Sequence, residues 1–405
     1  MKFLHTSDLH IGKKLFELSM LEEQKHALEQ IYNMAVLEKV DAVIIAGDVY
    51  DRAVPSTEAV CVLDEFLTRL AEAEIPVIMI SGNHDCGERV AFADRILERQ
   101  GLYIAGSYDG QLKDVVLSDE WGKVHFICMP FVKPAVAGAQ TSAEAVEKML
   151  SGVPMMASSA TGLAVSNRYV LVTHYFVTGE QGEAPQLSDS ETAVHVGGLD
   201  NVPASLFQSF CYVALGHIHK PQRIGQGNVY YCGSPVKYSF SEALQEKGVN
   251  LVEIDGMGSV TVQRRLLSPV HDMRCIRGKL ADLMEAAQAS VGTLESVMEQ
   301  TSEAEQEEKF KGVSSVEDYL QVTLTDTEEL LDPMGTLRSV YPNVLQIILD
   351  KNNSFAETEY ESRLTAKRKS TAELFGAFYE MLKGEPLDEV RRNYVLEAAR
   401  EAESE

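Results

Sequence analysis

Three short apolar runs, each separated from the next by an amphipathic stretch, constrain this chain more than any other feature. Lys2–Thr6 reads as a buried strand, and Leu18–Leu37 carries apolar residues at helical spacing (Leu21, Leu28, Ile31, Ala35). Asp41–Ala46 is a second expected strand, Thr57–Ala73 a second helix and Pro76–Ser81 a third strand. Strand, helix, strand, helix, strand calls for parallel strands joined by crossover helices, which places the chain among the α/β folds. A β-rich stretch follows, with strands expected at Val124–Met129, Tyr169–Thr173, Tyr212–Leu215, Val229–Cys232 and Gly248–Glu253. Val136–Asn167 is rich in Ala, Ser and Gly and holds an expected helix, Ala143–Leu150, among surface loops. Thr178–Leu199 reads as a long mobile loop.

The pattern changes near Pro269. Met273–Arg277, Tyr319–Leu324 and Val344–Leu349 are strand-like, with helical spacing at Leu280–Ala289 and Met334–Val340. Together they predict a small α+β unit of βαββ or βαβαβ type, with the acidic stretch Glu295–Lys311 as a solvated helix or loop. Near the end, Arg363, Lys367, Arg368 and Lys369 form a basic cluster, and two amphipathic helices follow. One carries Leu374, Phe375, Phe378, Tyr379 and Leu382, the other Leu387, Val390, Tyr394 and Val395, with Gly384-Glu385-Pro386 as the stop between them. The expected division is therefore 1–268, 269–352 and 353–405, and at 405 residues the chain is long enough for such a set of buried cores.

Composition narrows the setting. No apolar run approaches a membrane span, and Met1–Asp8 lacks the apolar core of a signal peptide. Six cysteines lie singly with no CxxC pair, the pattern of reduced thiols in the cytosol. The net charge of −25 opposes firm, unaided binding to nucleic acid. The acid is unevenly spread: residues 201–250 hold four basic and two acidic side chains, residues 301–350 three and eleven.

Five short segments concentrate metal-ligand side chains, each just after an expected strand. They are Asp8-Leu9-His10, Gly47-Asp48-Val49-Tyr50-Asp51-Arg52, Gly82-Asn83-His84-Asp85, Thr173-His174 and Gly216-His217-Ile218-His219. The carboxyl ends of strands are where an open α/β sheet builds its site, and the glycines let the chain turn sharply there. Any one segment is weak, since an Asp-x-His triplet is common and a lone histidine is usually a satisfied core residue. Their joint order is specific. Mixed imidazole and oxygen ligands suit manganese, iron or zinc better than calcium. Two such cations about 3.5–4 Å apart clamp a phosphodiester and activate water. Asp51 has a plainer reading as a turn residue capping the helix near Pro55. Asp85 reads as stabilising its loop, Cys86 as a tolerated small residue, and His5, His26, His125, His195 and His271 match no motif.

This order resembles the signature of the calcineurin-like metallophosphoesterase superfamily: D-x-H, G-D-x-x-D-R, G-N-H-D, H, G-H-x-H. The resemblance implies a four-layer αββα sandwich, with a small α+β cap domain and a helical tail. It makes Asp48 the bridge between two ions, the first also held by Asp8, His10 and His219, the second by Asn83, His174 and His217. It makes His84 the group that contacts the scissile phosphate and aids the leaving oxygen, with Asp51 orienting it by a hydrogen bond. Manganese is the favoured ion, magnesium a weaker substitute.

Within that superfamily, Phe3–Lys13, the segment Gly47–Arg52 followed by Pro55 and Ser56, Leu215–Gln222 and Tyr231–Pro235 resemble the DNA double-strand-break repair nucleases. The likeness covers about residues 1–265, and beyond them it rests on layout. It implies a subunit that works with an ABC-type ATPase bearing a long coiled coil, as a homodimer within a heterotetramer, in DNA repair, recombination and replication. It implies 3′-to-5′ degradation of duplex ends and cutting of hairpins and single strands. ATP would belong to the partner, because this chain has no Gly-x-x-x-x-Gly-Lys phosphate loop. Two rivals stand beside this reading: a small-molecule or phosphoprotein phosphodiesterase, and a non-catalytic DNA-end adaptor. The phosphatase branch usually has Gly where this chain has Ala53, and Glu where it has Asp85.

Overall fold

A computed structural model describes residues 1–153, 168–179, 182–191, 200–287, 315–328 and 330–350, together with Tyr379, Arg391, Arg392, Tyr394 and Val395. The acidic stretch Glu295–Lys311 and most of the two tail helices lie outside these residues.

The opening alternation forms half of the first six-stranded sheet. Its spatial order is Val260–Leu266, Gly248–Ile254, Lys2–Thr6, Ala42–Ala46, Val77–Ile80 and Leu102–Ala105. Lys2–Thr6 pairs in parallel with Ala42–Ala46 and antiparallel with Gly248–Ile254. The second sheet runs Gln222–Ile224, Val229–Tyr231, Tyr212–Leu215, Tyr169–Thr173, Gly122–Met129 and Lys113–Asp119.

Side-chain alternation along these strands builds the layers. Phe3, Ile44, Ile78 and Ile80 of the first sheet face Phe126, Cys128, Val172 and Ala214 of the second. The opposite faces are covered by helices. Leu4, Val43, Ile45 and Met79 pack under Leu28 and Ile31 of helix Leu21–Glu38 and under Val62, Phe66 and Leu70 of helix Thr57–Glu72. Ile127, Leu171 and Val213 pack under Val146, Met149 and Leu150 of helix Ser142–Ser151. Helix, sheet, sheet, helix is the expected four-layer sandwich. Helix Thr57–Glu72 starts where Ser56 accepts the Ala59 N–H (3.3 Å) with Glu58 in the first turn, both favourable at a helix N-terminus.

Residues beyond 270 make a separate three-stranded parallel sheet, Met273–Gly278, Tyr319–Leu324 and Val344–Leu349, in that order. Residues 280–287 are helical, and helix Pro333–Arg338 helps close a small core around Leu320, Val322, Leu324 and Leu337. Three parallel strands with helices between them make this a βαβαβ unit rather than βαββ. It is moored by Glu23, a buried carboxylate on the first long helix. Glu23 accepts the Val270 N–H (2.9 Å), the His271 N–H (3.0 Å) and the Tyr319 hydroxyl (3.2 Å), and lies 2.9 Å from His271 Nδ1. A cavity of about 240 Å³ lies along this junction, lined in part by Met20, Glu23, Lys237, Met273 and Tyr319.

Candidate metal centre

Each of the five motif segments leaves the end of a strand in the two central sheets. Asp8 follows Lys2–Thr6, Asp48 follows Ala42–Ala46, Asn83 follows Val77–Ile80, His174 follows Tyr169–Thr173 and His217 follows Tyr212–Leu215. The turns are sharp enough that Asp8, His10, Asp48 and His217 all adopt positive φ (52°, 43°, 47° and 98°). Left-handed backbone at non-glycine residues costs of order 1–3 kcal/mol each and persists only when neighbours over-determine it. They do so here. The Asp8 N–H donates to the Gly47 carbonyl (3.1 Å) and the His10 N–H to the Asp48 carbonyl (3.0 Å). The His217 N–H donates to Asp8 Oδ1 (2.9 Å) and the His84 N–H to Asp48 Oδ1 (2.9 Å). Gly216 must be glycine for space: a Cβ there would lie 2.0 Å from the Ala46 carbonyl oxygen and 2.6 Å from His174 Nδ1.

The expected ligand side chains come together. Donor atoms of Asp8, His10 and His219 all lie within 4.8 Å of one another, as do those of Asp8, Asp48 and His174. His10 Nε2 is 3.1 Å from His219 Nε2 and 3.6 Å from Asp48 Oδ2. His174 Nε2 is 3.2 Å from Asp48 Oδ2 and 3.1 Å from Asn83 Oδ1, which lies 2.9 Å from His217 Nδ1. Asp48 thus stands between the His10 side and the His174 side of the cluster. His174 Nδ1–H donates to the Ala46 carbonyl (2.7 Å), which turns its Nε2 inward.

Electrostatics follow from burial. Desolvation raises the Asp8 carboxyl and holds the His10 imidazole well below its ordinary range. Burial also acts against charge on Asp48 and His174, but each is outweighed by the other. Asp48 stays well below the usual carboxylate range beside His174, while His174 is raised to about 9 by Asp48 and Asp8. Three oxygen-bearing side chains and four imidazoles at this spacing fit divalent cations of the manganese, iron or zinc type.

His84 lies at the rim, its ring 4.9 Å from that of His10, and one donor atom each of His10, Asp48 and His84 fall within 4.8 Å. Its Nδ1–H donates to the backbone carbonyl of Asp51 (3.1 Å). The hydrogen bond expected between Asp51 and His84 thus runs through the Asp51 backbone, while the Asp51 carboxylate accepts from Lys13 Nζ (2.7 Å). The capping alternative for Asp51 is not seen, since Ser56 caps that helix. Asp85 does stabilise its loop, accepting the N–H groups of Val49, Tyr50 and Gly82 at 3.0, 2.9 and 2.9 Å; burial pushes it up to about 6.

Some supporting residues escaped the sequence reading. Gln24 donates to the His10 carbonyl (2.7 Å) and to the Tyr238 hydroxyl (3.0 Å), and that hydroxyl donates to the Leu9 carbonyl. A polar residue on the apolar stripe of the first helix was the available signal. Ser190, Glu191, Glu242 and Lys247 surround His219, and nothing in their local sequence marks them. Of the expected loop Thr178–Leu199, Thr178 ends the short strand Val177–Thr178, and residues 182–191 reach the site through Ser190 and Glu191.

The family described as calcineurin-like phosphoesterase matches residues 1–155, and a Type 5 capsule protein repressor C-terminal domain matches residues 269–382. With the sandwich and the clustered ligands, these matches define the class: residues 1–155 are similar to the calcineurin-like phosphoesterases, and the chain is a metal-dependent phosphodiesterase. More particularly, it is similar along nearly its whole length to the SbcD subunit of the nuclease SbcCD from two staphylococci. The Staphylococcus epidermidis protein is 29% identical over 98% of this chain and 97% of its own length. The Staphylococcus saprophyticus protein is 29% identical over 96% of this chain and 94% of its own. Among solved structures, a dimetal phosphatase from Danio rerio aligns with 66% of this chain and 97% of its own, at 12% identity and a TM-score of 0.37.

Proposed function

We propose that this chain is the nuclease subunit of an SbcCD-type complex, hydrolysing DNA phosphodiesters at duplex ends, hairpins and single strands. The observation that carries the reading is the convergence of Asp8, His10, Asp48, Asn83, His174, His217 and His219 at the ends of five strands, with His84 at the rim. Asp8, His10, His219 and Asp48 would hold one divalent cation, and Asp48, Asn83, His174 and His217 a second, with manganese the favoured ion. Bound there, such cations supply charge neutralisation for a phosphodiester and lower the pKa of water.

The rest is the work of this chain's own side chains. Asp48 fixes the loop of His84 by accepting its N–H, and the Asp51 carbonyl holds His84 Nδ1–H, leaving Nε2 as the atom presented to substrate. In that position His84 Nε2 can donate to a phosphate oxygen or to the departing oxygen. Lys13 neutralises Asp51 and so keeps a second carboxylate from repelling the phosphate.

An acidic chain needs help to hold DNA, and an SbcC-type ABC ATPase with a coiled coil is the partner this reading requires, in a heterotetramer built on a homodimer of this chain. Among the described residues no helix is long and apolar enough to cross a membrane, compatible with a cytoplasmic site of action. The 3′-to-5′ polarity and the dependence of duplex degradation on ATP belong to the same proposal. The test is a manganese-dependent assay on duplex DNA, hairpin DNA and bis-p-nitrophenyl phosphate, with and without the ATPase partner and ATP. Cleavage of DNA, stimulated on duplex ends by partner and ATP, is the expected result. Turnover of the small ester alone would replace the nuclease with a small-substrate phosphodiesterase, and no turnover at all would leave an adaptor.

A further inference from the structure

We propose that Ser190 and Glu242 form a positioning relay that fixes His219 with its proton on Nδ1 and its Nε2 lone pair facing the first metal position. The loop that carries Ser190 thereby sets the affinity of that position. The inference rests on the metal-site reading above.

The argument starts from two imidazoles aimed at one place. His10 Nε2 and His219 Nε2 lie 3.1 Å apart, and neither can serve as a ligand while it carries a proton. Which ring nitrogen is protonated is set by the hydrogen bond the other one makes. Among the described residues His10 Nδ1 is buried without a hydrogen-bond partner, so no such bond fixes that ring. His219 is different: its Nδ1 lies 2.7 Å from Ser190 Oγ.

The serine must accept there. Its hydroxyl donates to Glu242 Oε1. Glu242 is fully buried, and its other oxygen pairs with Lys247 Nζ (2.5 Å) and accepts the Tyr238 N–H (3.3 Å). A carboxylate so placed acts as an acceptor only. With its own proton spent on Glu242, Ser190 Oγ is left to accept the proton of His219 Nδ1. Ser188 Oγ, 3.1 Å away, is a further hydroxyl partner of the same oxygen.

The same short loop grips the main chain of His219. The His219 N–H donates to Glu191 Oε1, and Glu191 Oε2 accepts the Ser188 N–H (2.6 Å). Lys247 Nζ donates to the His219 carbonyl (3.0 Å), and the Asp189 N–H donates to Ser241 Oγ (2.9 Å). Ring, amide and carbonyl of one ligand are therefore all held by residues outside the five motifs.

Outer partners of this kind are typically worth 10–100-fold in metal affinity. The test uses the full chain with Ser190→Ala and Ser190→Thr. Manganese titration by calorimetry should show one of two ions bound about 10–100-fold more weakly in Ser190→Ala. The other ion should be unchanged, and Ser190→Thr, which keeps the hydroxyl, should bind both as the parent does. In the metal-free protein, long-range ¹⁵N–¹H spectra, with His219 assigned by difference from His219→Gln, should show the Nδ1–H tautomer in the parent and a mixture in Ser190→Ala. The metal-free melting temperature should fall modestly in Ser190→Ala, because Glu242 Oε1 loses its hydroxyl donor, and should be restored in Ser190→Thr. Parental affinity for both ions in Ser190→Ala, or equal losses in Ser190→Ala and Ser190→Thr, would overturn the relay. If His219→Gln itself binds both ions as the parent does, the metal assignment fails instead, and the relay falls with it.

Discussion

Asp48 is the residue on which the site turns. Its Oδ2 faces both His10 and His174 while its Oδ1 holds the His84 N–H, so one carboxylate touches both proposed cation positions and the rim group. Asp8 also lies among both groups of donors, but its two oxygens already accept the Ser7 hydroxyl and the His217 N–H. Asp48→Ala should therefore empty or scramble both sites, and Asp8→Ala should weaken chiefly one. Metal content per chain checks this, and two ions retained in Asp48→Ala would refute the bridging role. His84→Ala should keep both ions and lose about 10²–10⁴ in hydrolysis rate, the usual worth of one acid–base group. Because a His84 nitrogen lies within 4.8 Å of donors on His10 and Asp48, metal analysis of the same variant is decisive. Loss of an ion together with activity would make His84 a ligand.

At the scale of elements, the site is a product of how strands end. The three opening strands and the strands Tyr169–Thr173 and Tyr212–Leu215 that precede candidate ligands were legible because each is buried on both faces and all but Lys2–Thr6 are nearly continuous apolar runs. Lys113–Asp119 and Val260–Leu266 were not, because they lie at sheet edges with several side chains exposed, and Lys-Asp-Val-Val-Leu-Ser-Asp does not stand out as a buried run. The candidate ligands were legible from motif order, and so was the pairing of Asp51 with His84, but spacing alone does not distinguish a carboxylate from the carbonyl of the same residue. Ser190 and Glu242 were invisible because their partners lie 29 and 23 residues away in sequence from either side of His219. The turn after Tyr212–Leu215 gives a direct test. Gly216→Ala drives a methyl into the Ala46 carbonyl and into His174, so it should lower the melting temperature and reduce bound metal at once. A folded, fully loaded Gly216→Ala would show that the strand ends are not held as closely as described.

For the whole molecule, Glu23 and the cavity beside it set how the small parallel sheet stands on the sandwich, while the tail lies outside the described residues apart from a few positions. There Arg391 Nη1 donates to the Tyr379 hydroxyl (2.7 Å), joining the two expected amphipathic segments. We predict that these segments dock on the coiled coil of the ATPase partner, as paired apolar helix faces suit groove binding. Phe375→Glu with Leu382→Glu should leave the melting temperature of the isolated protein and its manganese-dependent cleavage unchanged. Co-purification with the ATPase should fall sharply. A large drop in melting temperature would instead place those side chains in the chain's own core, where each loss costs about 2–5 kcal/mol.

The left-handed backbone at positions 8, 10, 48 and 217 has a consequence for how such a protein drifts. Glycine is the residue these positions would choose on conformational grounds, and glycine cannot bind a metal. Catalysis and thermal hardiness therefore pull in opposite directions at the same four places. In a library randomised there and screened for survival of heat in chelator, glycine should accumulate among the survivors, every one of them inert. A lineage released from the need to hydrolyse phosphodiesters would slide the same way, gaining stability as it lost its candidate ligands.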